Sequence, residues 1–425
     1  MDNASRSKKS CRHTIQGWSS GDGIRVCHLG KYYPPAPGGM EAHVQTLARA
    51  QAALGASVSV VCVNHEDRRG VNVTWEPFAA TPTVRTRDET VRVTRLGRRA
   101  CLARFDVCPG LTSLLDRFQS EGIDLIHLHA PNPMMLLALA VKCIRLPLVI
   151  SYHSDVVRQK LLARALRPFE RLVFTRAARI LSDSPTYPQG SAFLKSYSHK
   201  LTVLPLGIDL DPFLRPNSPA LAFAGRLQRE HGTPLWLSVG RLVYYKGLPN
   251  AIEALTRVPG KLMLVGAGPL EADLRRLAKK LGVADRTIWM GYRSFEEVVG
   301  AYQAATALWF PSNARSEGFG LVQVEAMASG CPVINTAIED SGVSWVSRHE
   351  ETGLTVAVDD PAELARAAHR LITERGLRQR LAAGARERAC REFDQRLMAE
   401  RCLNIYRCIL TGEHIEDAVS FRKSA

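Results

Sequence analysis

The chain has 425 residues, enough for two domains with full cores, and its 46% hydrophobic and 23% charged residues fit a globular protein rather than a disordered or fibrous one. The ten cysteines form no C-x-x-C pair, and Cys27, Cys62 and Cys331 stand in apolar runs; this predicts reduced core thiols in a cytoplasmic protein, not a disulfide framework. A net charge of +15 calls for an anionic partner, and with no zinc-finger spacing, RNA-binding aromatic signature or heptad zipper, no nucleic acid is expected among the partners.

Residues 1–23 are polar and basic without the apolar block of a signal peptide, which predicts a floppy leader. From residue 24 the strand patterns "IRVCHLG", "SVSVVCVNH", "IDLIHLH", "PLVISYH" and "RILSDS" alternate with helical patterns such as "MEAHVQTLARAQAALG". That rhythm predicts a parallel sheet flanked by helices, a first Rossmann-like domain over 24–207. Within it, "PMMLLALAVKCIRLPLVI" is interrupted by Lys142 and Arg145, well short of the ~20 apolar residues of a membrane span. Segment 158–180 follows, with Arg158, Lys160, Arg164, Arg167, Arg171, Arg176 and Arg179 opposed only by Glu170. Its apolar residues recur at helical spacing, and Pro168 is expected to divide it into two helices. It reads either as a basic face docking on an anionic membrane surface or as an ordinary packing helix.

Between 205 and 234 the rhythm pauses in a stretch rich in Pro, Gly and polar residues, where the interdomain linker is expected. It restarts with "LWLSVGRL", "KLMLVGAG", "TIWMGY", "ALWFP" and "PVINT", a second Rossmann-like domain over 208–390. From 362 the chain is largely helical, with Gly384 as the expected break; a helix over 391–412 is expected to pack back on the first domain, ahead of a polar tail at 413–425. The fold class is α/β, with two doubly wound domains facing across a cleft.

Three stretches carry chemistry. In "SEGFGLVQVEAMASGCPVINT" an apolar helix opens after Gly318 and Gly320 and carries Glu325, whose carboxylate needs hydrogen-bond donors in so apolar a setting. A ribose diol or a nearby structural donor would both serve. The opening of the same helix offers backbone N–H groups and a positive dipole end to an anion. "SVGRLVYYKGL" puts Arg241 and Lys246 just past a strand end, where open α/β sheets bind ligands, and two cations there suit a diphosphate. "SYHSD" ends a strand at His153, a candidate at the cleft or a satisfied structural histidine. Three further patterns read as decoys. Asp209-x-Asp211 falls in the linker; His127-x-His129 shares one strand face but has no third metal ligand at suitable spacing; Gly266-x-Gly268 lacks the third glycine of a dinucleotide fingerprint, Glu271 standing there.

Together, "SEGFGLVQVEAMASGCPVI", "SVGRLVYYKGL", "LVGAGPLEADLRRLAKKLG", "LPLGIDLDPF" and "YYPPAPGGMEAHVQTLA" resemble, in order, the landmarks of the retaining glycosyltransferases of family 4, which have the GT-B fold. Within that family "SYHSDVVRQK" and "SGVSWVSRHEETGLTV" look most like bacterial mannosyl- and rhamnosyltransferases of surface polysaccharide assembly. The resemblance implies transfer of a sugar, GDP-mannose being the first donor, to a carbohydrate or lipid-linked acceptor. The alternatives are a UDP-sugar, carrying glucose or an N-acetylhexosamine, and a non-catalytic binding module. It also assigns residues. Glu325 would accept the ribose hydroxyls and Glu317 would hold the donor sugar. Gly318, Phe319, Gly320 and Leu321 would neighbour sugar and phosphates through their backbone, and Arg241 and Lys246 would bind the diphosphate. Gly38 and Gly39 would let the amino-terminal loop approach it, and His153 would stand near the reaction centre. No metal or other cofactor is implied, and the expected location is the cytoplasm, with 158–180 meeting the inner face of the plasma membrane.

Overall fold

The computed structural model describes residues 23–413 except 37, 68–69, 72–79, 103–104, 143 and 156–159. The expected leader but for Gly23, and the expected tail but for Glu413, lie outside the described residues. The first sheet comprises β1 (Arg25–Leu29), β2 (Ser57–Val63), β3 (Val84–Asp88), β4 (Val91–Leu96), β5 (Leu125–Ala130), β6 (Leu148–Tyr152), β7 (Arg179–Ser182) and β8 (Leu201–Val203), in the order β8-β7-β6-β5-β1-β2-β4-β3. Neighbours are parallel except the edge hairpin β3–β4, whose outer strand "VRTRD" is charged and largely exposed, a composition that blunts an open edge.

The inner strands are buried and rich in Val, Ile and Leu because helices cover both faces, and their polar members His28, His127, His129 and Ser151 are buried with them. Helix Gly39–Ala53 and the last helix, Gln395–Thr411, close one face, joining Val26, Val44 and Val60 to Met398, Cys402 and Tyr406 in one core. Helices Gly110–Arg117, Pro133–Val141 and Lys160–Arg176 close the other, with Leu115, Met135 and Phe174 at its centre. The second sheet is wholly parallel: β9 (Leu235–Val239), β10 (Lys261–Val265), β11 (Thr287–Gly291), β12 (Ala307–Phe310), β13 (Val333–Thr336) and β14 (Gly353–Val356), in the order β11-β10-β9-β12-β13-β14. In each sheet the strand order reverses once near the middle, between β1 and β5 and between β9 and β12. Ligand crevices of open α/β sheets lie at the carboxyl ends of such strands.

Three local expectations are corrected. Pro168 does not divide its segment: one helix runs over Lys160–Arg176, and Pro168 lies on its exposed side, where water can take the carbonyl that the missing N–H leaves free. Gly384 does not break its helix, which spans Leu377–Glu392; the glycine is needed for packing, since any Cβ there would strike the carbonyl of Glu351. The stretch 205–234 is not all linker, because Ser218–His231 is a helix, capped by the Asn217 side chain and packed with Phe223 and Leu227 in the core of the second sheet. The chain leaves the first sheet near 205–211 and returns beside itself, Ile208 N–H donating to Phe393 O at 3.0 Å and Gln395 N–H to Ile208 O at 2.9 Å.

Candidate active site

The second-domain half lies at the β9/β12 reversal. Gly240, at φ 137°, turns the chain out of β9 while its carbonyl packs on Gly266, and Leu242 packs on Gly268 in the same way. The Gly266-x-Gly268 pair therefore lets two strand-end loops touch, tied by Leu242 N–H to Ala267 O at 3.0 Å. A single turn, Tyr244–Lys246, then brings Lys246 back under the strand end, its Nζ 2.6 Å from Glu317 Oε2 and 4.8 Å from the centre of the Phe310 ring. Ser312, the second residue past β12, donates to the same Glu317 oxygen at 3.3 Å. Arg241 is exposed beside them, one Nη2 donating to Tyr245 Oη at 3.1 Å.

Gly320, in the left-handed region at φ 78°, caps the helix Leu321–Ala328, and a Cβ there would press into the Phe310 ring. Phe319 faces away from the cleft, 3% exposed against Trp345 and Phe393, so only its backbone belongs to the site. Glu325, one turn in, accepts from Tyr302 Oη at 2.7 Å through Oε2. Burial pushes its pKa up, against the Tyr302 hydrogen bond and the nearby Lys246, which favour the charged form. The structural donor left open by the sequence is thus Tyr302. Among the described residues no hydrogen bond is made to Glu325 Oε1.

The first-domain half lies at the β1/β5 reversal. His153 follows β6, its N–H bonded to Ala130 O at 3.0 Å, and its Nδ1 stands 3.2 Å from Asp183 Oδ2. Gly38 and Gly39 lead into the first helix, where Glu41 folds back over Gly38. Burial raises the Glu41 pKa, opposed by Lys31, Arg241 and His153, which puts the glycine loop in the field of the second domain's arginine. The halves meet: a Cβ on Gly318 would stand 3.0 Å from His153 O, and Thr186 Oγ1 donates across the seam to Ser341 O at 2.8 Å. Arg315, two residues before Glu317, clasps the seam, bonding the Asp155 carboxylate, Tyr187 O at 2.5 Å and Asp340 O at 2.9 Å.

The structure therefore gathers Glu317, Lys246, Arg241, Gly318, Gly320, Leu321 and Glu325 at one strand-end crevice and brings Gly318 against His153. Sequence reasoning missed Tyr302, Ser312, Glu41, Asp183 and Arg315. Glu41, Ser312 and Asp183 stand within a few residues of a strand end or glycine loop, which is a readable signal; Tyr302 and Arg315 act from a distant helix and across the seam, which is not.

The absence of a third ligand for His127 and His129 is also corrected. Register places His28 beside His127, and His28, His127 and His129 converge, as do His43, His129 and His153, with ligating atoms within 4.8 Å of one another in each group. They come from a different strand, a helix and a strand end, so spacing along the chain could not reveal them. In the first group every ring nitrogen is engaged: His127 by Tyr406 Oη at 2.5 Å and Ser151 Oγ at 2.8 Å, and His28 by Gln51 Oε1 at 2.8 Å and His129 Nε2 at 3.0 Å. His129 Nδ1 meets His153 Nε2. Asp209 accepts from Asp211 N–H at 3.2 Å and Asp211 pairs with Arg215, the loop structure expected of that pattern.

Residues 222–388 match the model of the glycosyl transferases group 1 and residues 37–212 that of glycosyltransferase family 4. The chain is 34% identical to the D-rhamnosyltransferase WbpZ of Pseudomonas aeruginosa over 56% of its own length and 61% of that protein's. It is 28% identical to the O-antigen chain mannosyltransferase C of Escherichia coli over 92% of its own length and all of that protein's. The crystal structure of Anabaena HepE in complex with UDP superposes with a TM-score of 0.70 at 19% identity, covering 90% of this chain and 100% of that one.

Proposed function

The chain belongs to the group 1, family 4 glycosyltransferases and has the GT-B fold, and from that premise we propose that it moves mannose from GDP-mannose, with retention, to a carbohydrate or lipid-linked acceptor. The mannosyl- and rhamnosyltransferase relatives support that donor over a UDP-sugar. The observation that carries the reading is the pairing of Lys246 with Glu317 in a loop whose Gly318 packs on His153.

In this reading Lys246 keeps N–H donors beyond the one given to Glu317, and Arg241 stands beside it with a single tie to Tyr245. The two stabilise the charge that grows on the departing diphosphate, aided by the backbone N–H groups at Gly320 and Leu321. Glu317, held in place by Lys246 and Ser312, receives hydroxyls of the sugar, and Glu325 Oε1 receives the ribose. His153, oriented by Asp183, lines the reaction centre. Front-face attack is favoured over a covalent intermediate because each nearby carboxylate is committed: Glu317 to Lys246, Asp183 to His153, and Glu41 shifted toward its neutral form by burial. Incubation with GDP-mannose, UDP-glucose and UDP-N-acetylglucosamine, water serving as slow acceptor, tests this. GDP-mannose should be consumed fastest and give the anomer it started with by NMR; the opposite anomer, or no consumption of any donor, would refute the reading.

No helix among the described residues is long and apolar enough to cross a membrane. A lipid-linked acceptor would be met through the helix Lys160–Arg176, where Phe169 (41%) and Leu172 (48%) are exposed beside exposed Arg164 and Arg171. The basic face is smaller than its composition suggests: Arg167 pairs with Glu170 at 3.0 Å, Arg176 is tied to Leu139 O and Ile144 O, and Arg158 lies outside the described residues. The wild type should pellet with anionic but not neutral vesicles; unchanged pelleting after Arg164→Glu with Arg171→Glu would refute docking by this helix.

A further inference from the structure

The hydrogen bonds around His129 and His153 leave a place that only a cation can fill. Gln51 Oε1 is an acceptor, its amide donating instead to Tyr406 Oη at 3.3 Å, so His28 must carry its proton on Nε2 to bond it at 2.8 Å. His28 Nδ1 is then a lone pair, and the nitrogen facing it at 3.0 Å, His129 Nε2, must be the one that donates. That leaves a lone pair on His129 Nδ1. From the other end, Asp183 Oδ2 at 3.2 Å holds a proton on His153 Nδ1, which leaves a lone pair on His153 Nε2. These two lone pairs face each other at 3.2 Å, in rings whose planes are 1° apart.

His43 stands edge-on to both rings, with centroids 4.9 Å from His153 and 5.6 Å from His129. It is 2% exposed, yet neither of its ring nitrogens has a hydrogen-bond partner. A buried polar group is ordinarily satisfied, so the orphaned imidazole, aimed at two converging lone pairs, is the second and independent sign of a missing ligand.

We propose that His43, His129 and His153 bind one divalent cation of the zinc class, and that its occupancy takes His153 out of the transfer reaction. Ligating nitrogens within 4.8 Å of one another need only small side-chain rotations to reach the ~2.0–2.1 Å bonds of a tetrahedral imidazole site. Asp183 on the far nitrogen of His153 is the carboxylate partner that fixes ring and tautomer in such sites. Three imidazoles leave the fourth position toward the cleft, the side on which His153 is partly exposed. The cation is inhibitory in this proposal; no step of the transfer requires it. The inhibition rests on the role given to His153 above, whereas the binding does not.

The test uses the full chain, stripped by a chelator and dialysed. Titration with zinc sulfate should give one site by calorimetry, and cobalt chloride should give the visible absorption of tetrahedral Co2+. His43→Ala should weaken zinc binding at least tenfold, keep basal transfer activity and relieve zinc inhibition. If His43→Ala fails to fold, His43→Phe, which keeps the ring packing without a ligand, replaces it with the same expectations. No zinc or cobalt binding by the wild type, or unweakened binding by the folded variant, overturns the site and leaves a shared proton as the occupant. Binding lost with inhibition retained overturns the inhibitory role alone. Zinc binding in a chain that turns over no donor leaves the metal site standing and counts against the transferase reading instead.

Discussion

Replacing Tyr302 by Phe isolates the reason Glu325 is tolerated in its apolar helix. Tyr302 is 1% exposed, and its hydroxyl makes the 2.7 Å bond to Glu325 Oε2, the one side-chain hydrogen bond to that carboxylate among the described residues. A phenyl ring keeps the edge contact with Phe213, so the change removes the bond and little packing. Hydrogen bonds to charged groups are worth about 1.5–3 kcal/mol, and the carboxylate left behind keeps its desolvation cost, so a loss of about 2 kcal/mol is expected. For a domain of this size that corresponds to roughly 4–8 °C in Tm. Differential scanning fluorimetry reads it directly. Saturating nucleoside diphosphate should narrow the gap, because a ribose hydroxyl supplies a donor to the same carboxylate, and Glu325→Gln in the Tyr302→Phe background should remove most of it. A Tm within about 1 °C of wild type would refute the argument that Tyr302 sustains the charge.

Burial raises the folded-state pKa of Glu325 above its usual 4.5, so its contribution to stability is complete below that value and is lost as pH rises through the folded pKa. Glu325→Gln should therefore gain in Tm relative to wild type across that rise; a difference independent of pH would contradict the shift. Transfer activity should survive EDTA, since the diphosphate is assigned to Arg241, Lys246 and backbone N–H groups; full loss restored by manganese would turn attention to Asp209 and Asp211. Arg315→Ala removes a charge-assisted bond to Asp155 and one to Tyr187 O across the seam. At about 1.5 kcal/mol or more each, kcat/KM should fall at least ~10-fold without loss of fold, and unchanged kinetics would show that the clasp is dispensable.

The parallel sheets were legible because buried central strands read as short, largely apolar runs, as in "LVISY" and "LMLV". The edge hairpin Val84–Leu96 was not, since "VRTRDETVRVTRL" is mostly polar, although its strands pair with each other and its inner strand pairs with Ser57–Val63. Pro168 and Gly384 misled for one reason: each is a helix breaker by propensity, and tertiary context overrode both, solvent at Pro168 and the Glu351 carbonyl at Gly384. Glu317, Glu325, Arg241 and Lys246 were readable because they cluster at strand ends in short motifs. The histidine assembly was invisible in spacing because successive members His28, His43, His129 and His153 stand 15, 86 and 24 residues apart and meet only where β1, β5, β6 and the first helix converge.

The most direct test of the nucleotide site is a melting-temperature panel of the intact chain with GDP, UDP, ADP and TDP. One of the four, GDP in first place, should stabilise the wild type by ~2.7 kcal/mol at a hundred times its dissociation constant. Glu325→Ala should lose most of that stabilisation while Glu317→Ala keeps it and loses turnover. Absence of stabilisation by all four nucleotides, or equal stabilisation of Glu325→Ala and wild type, would contradict the assignment of this crevice to a nucleoside diphosphate.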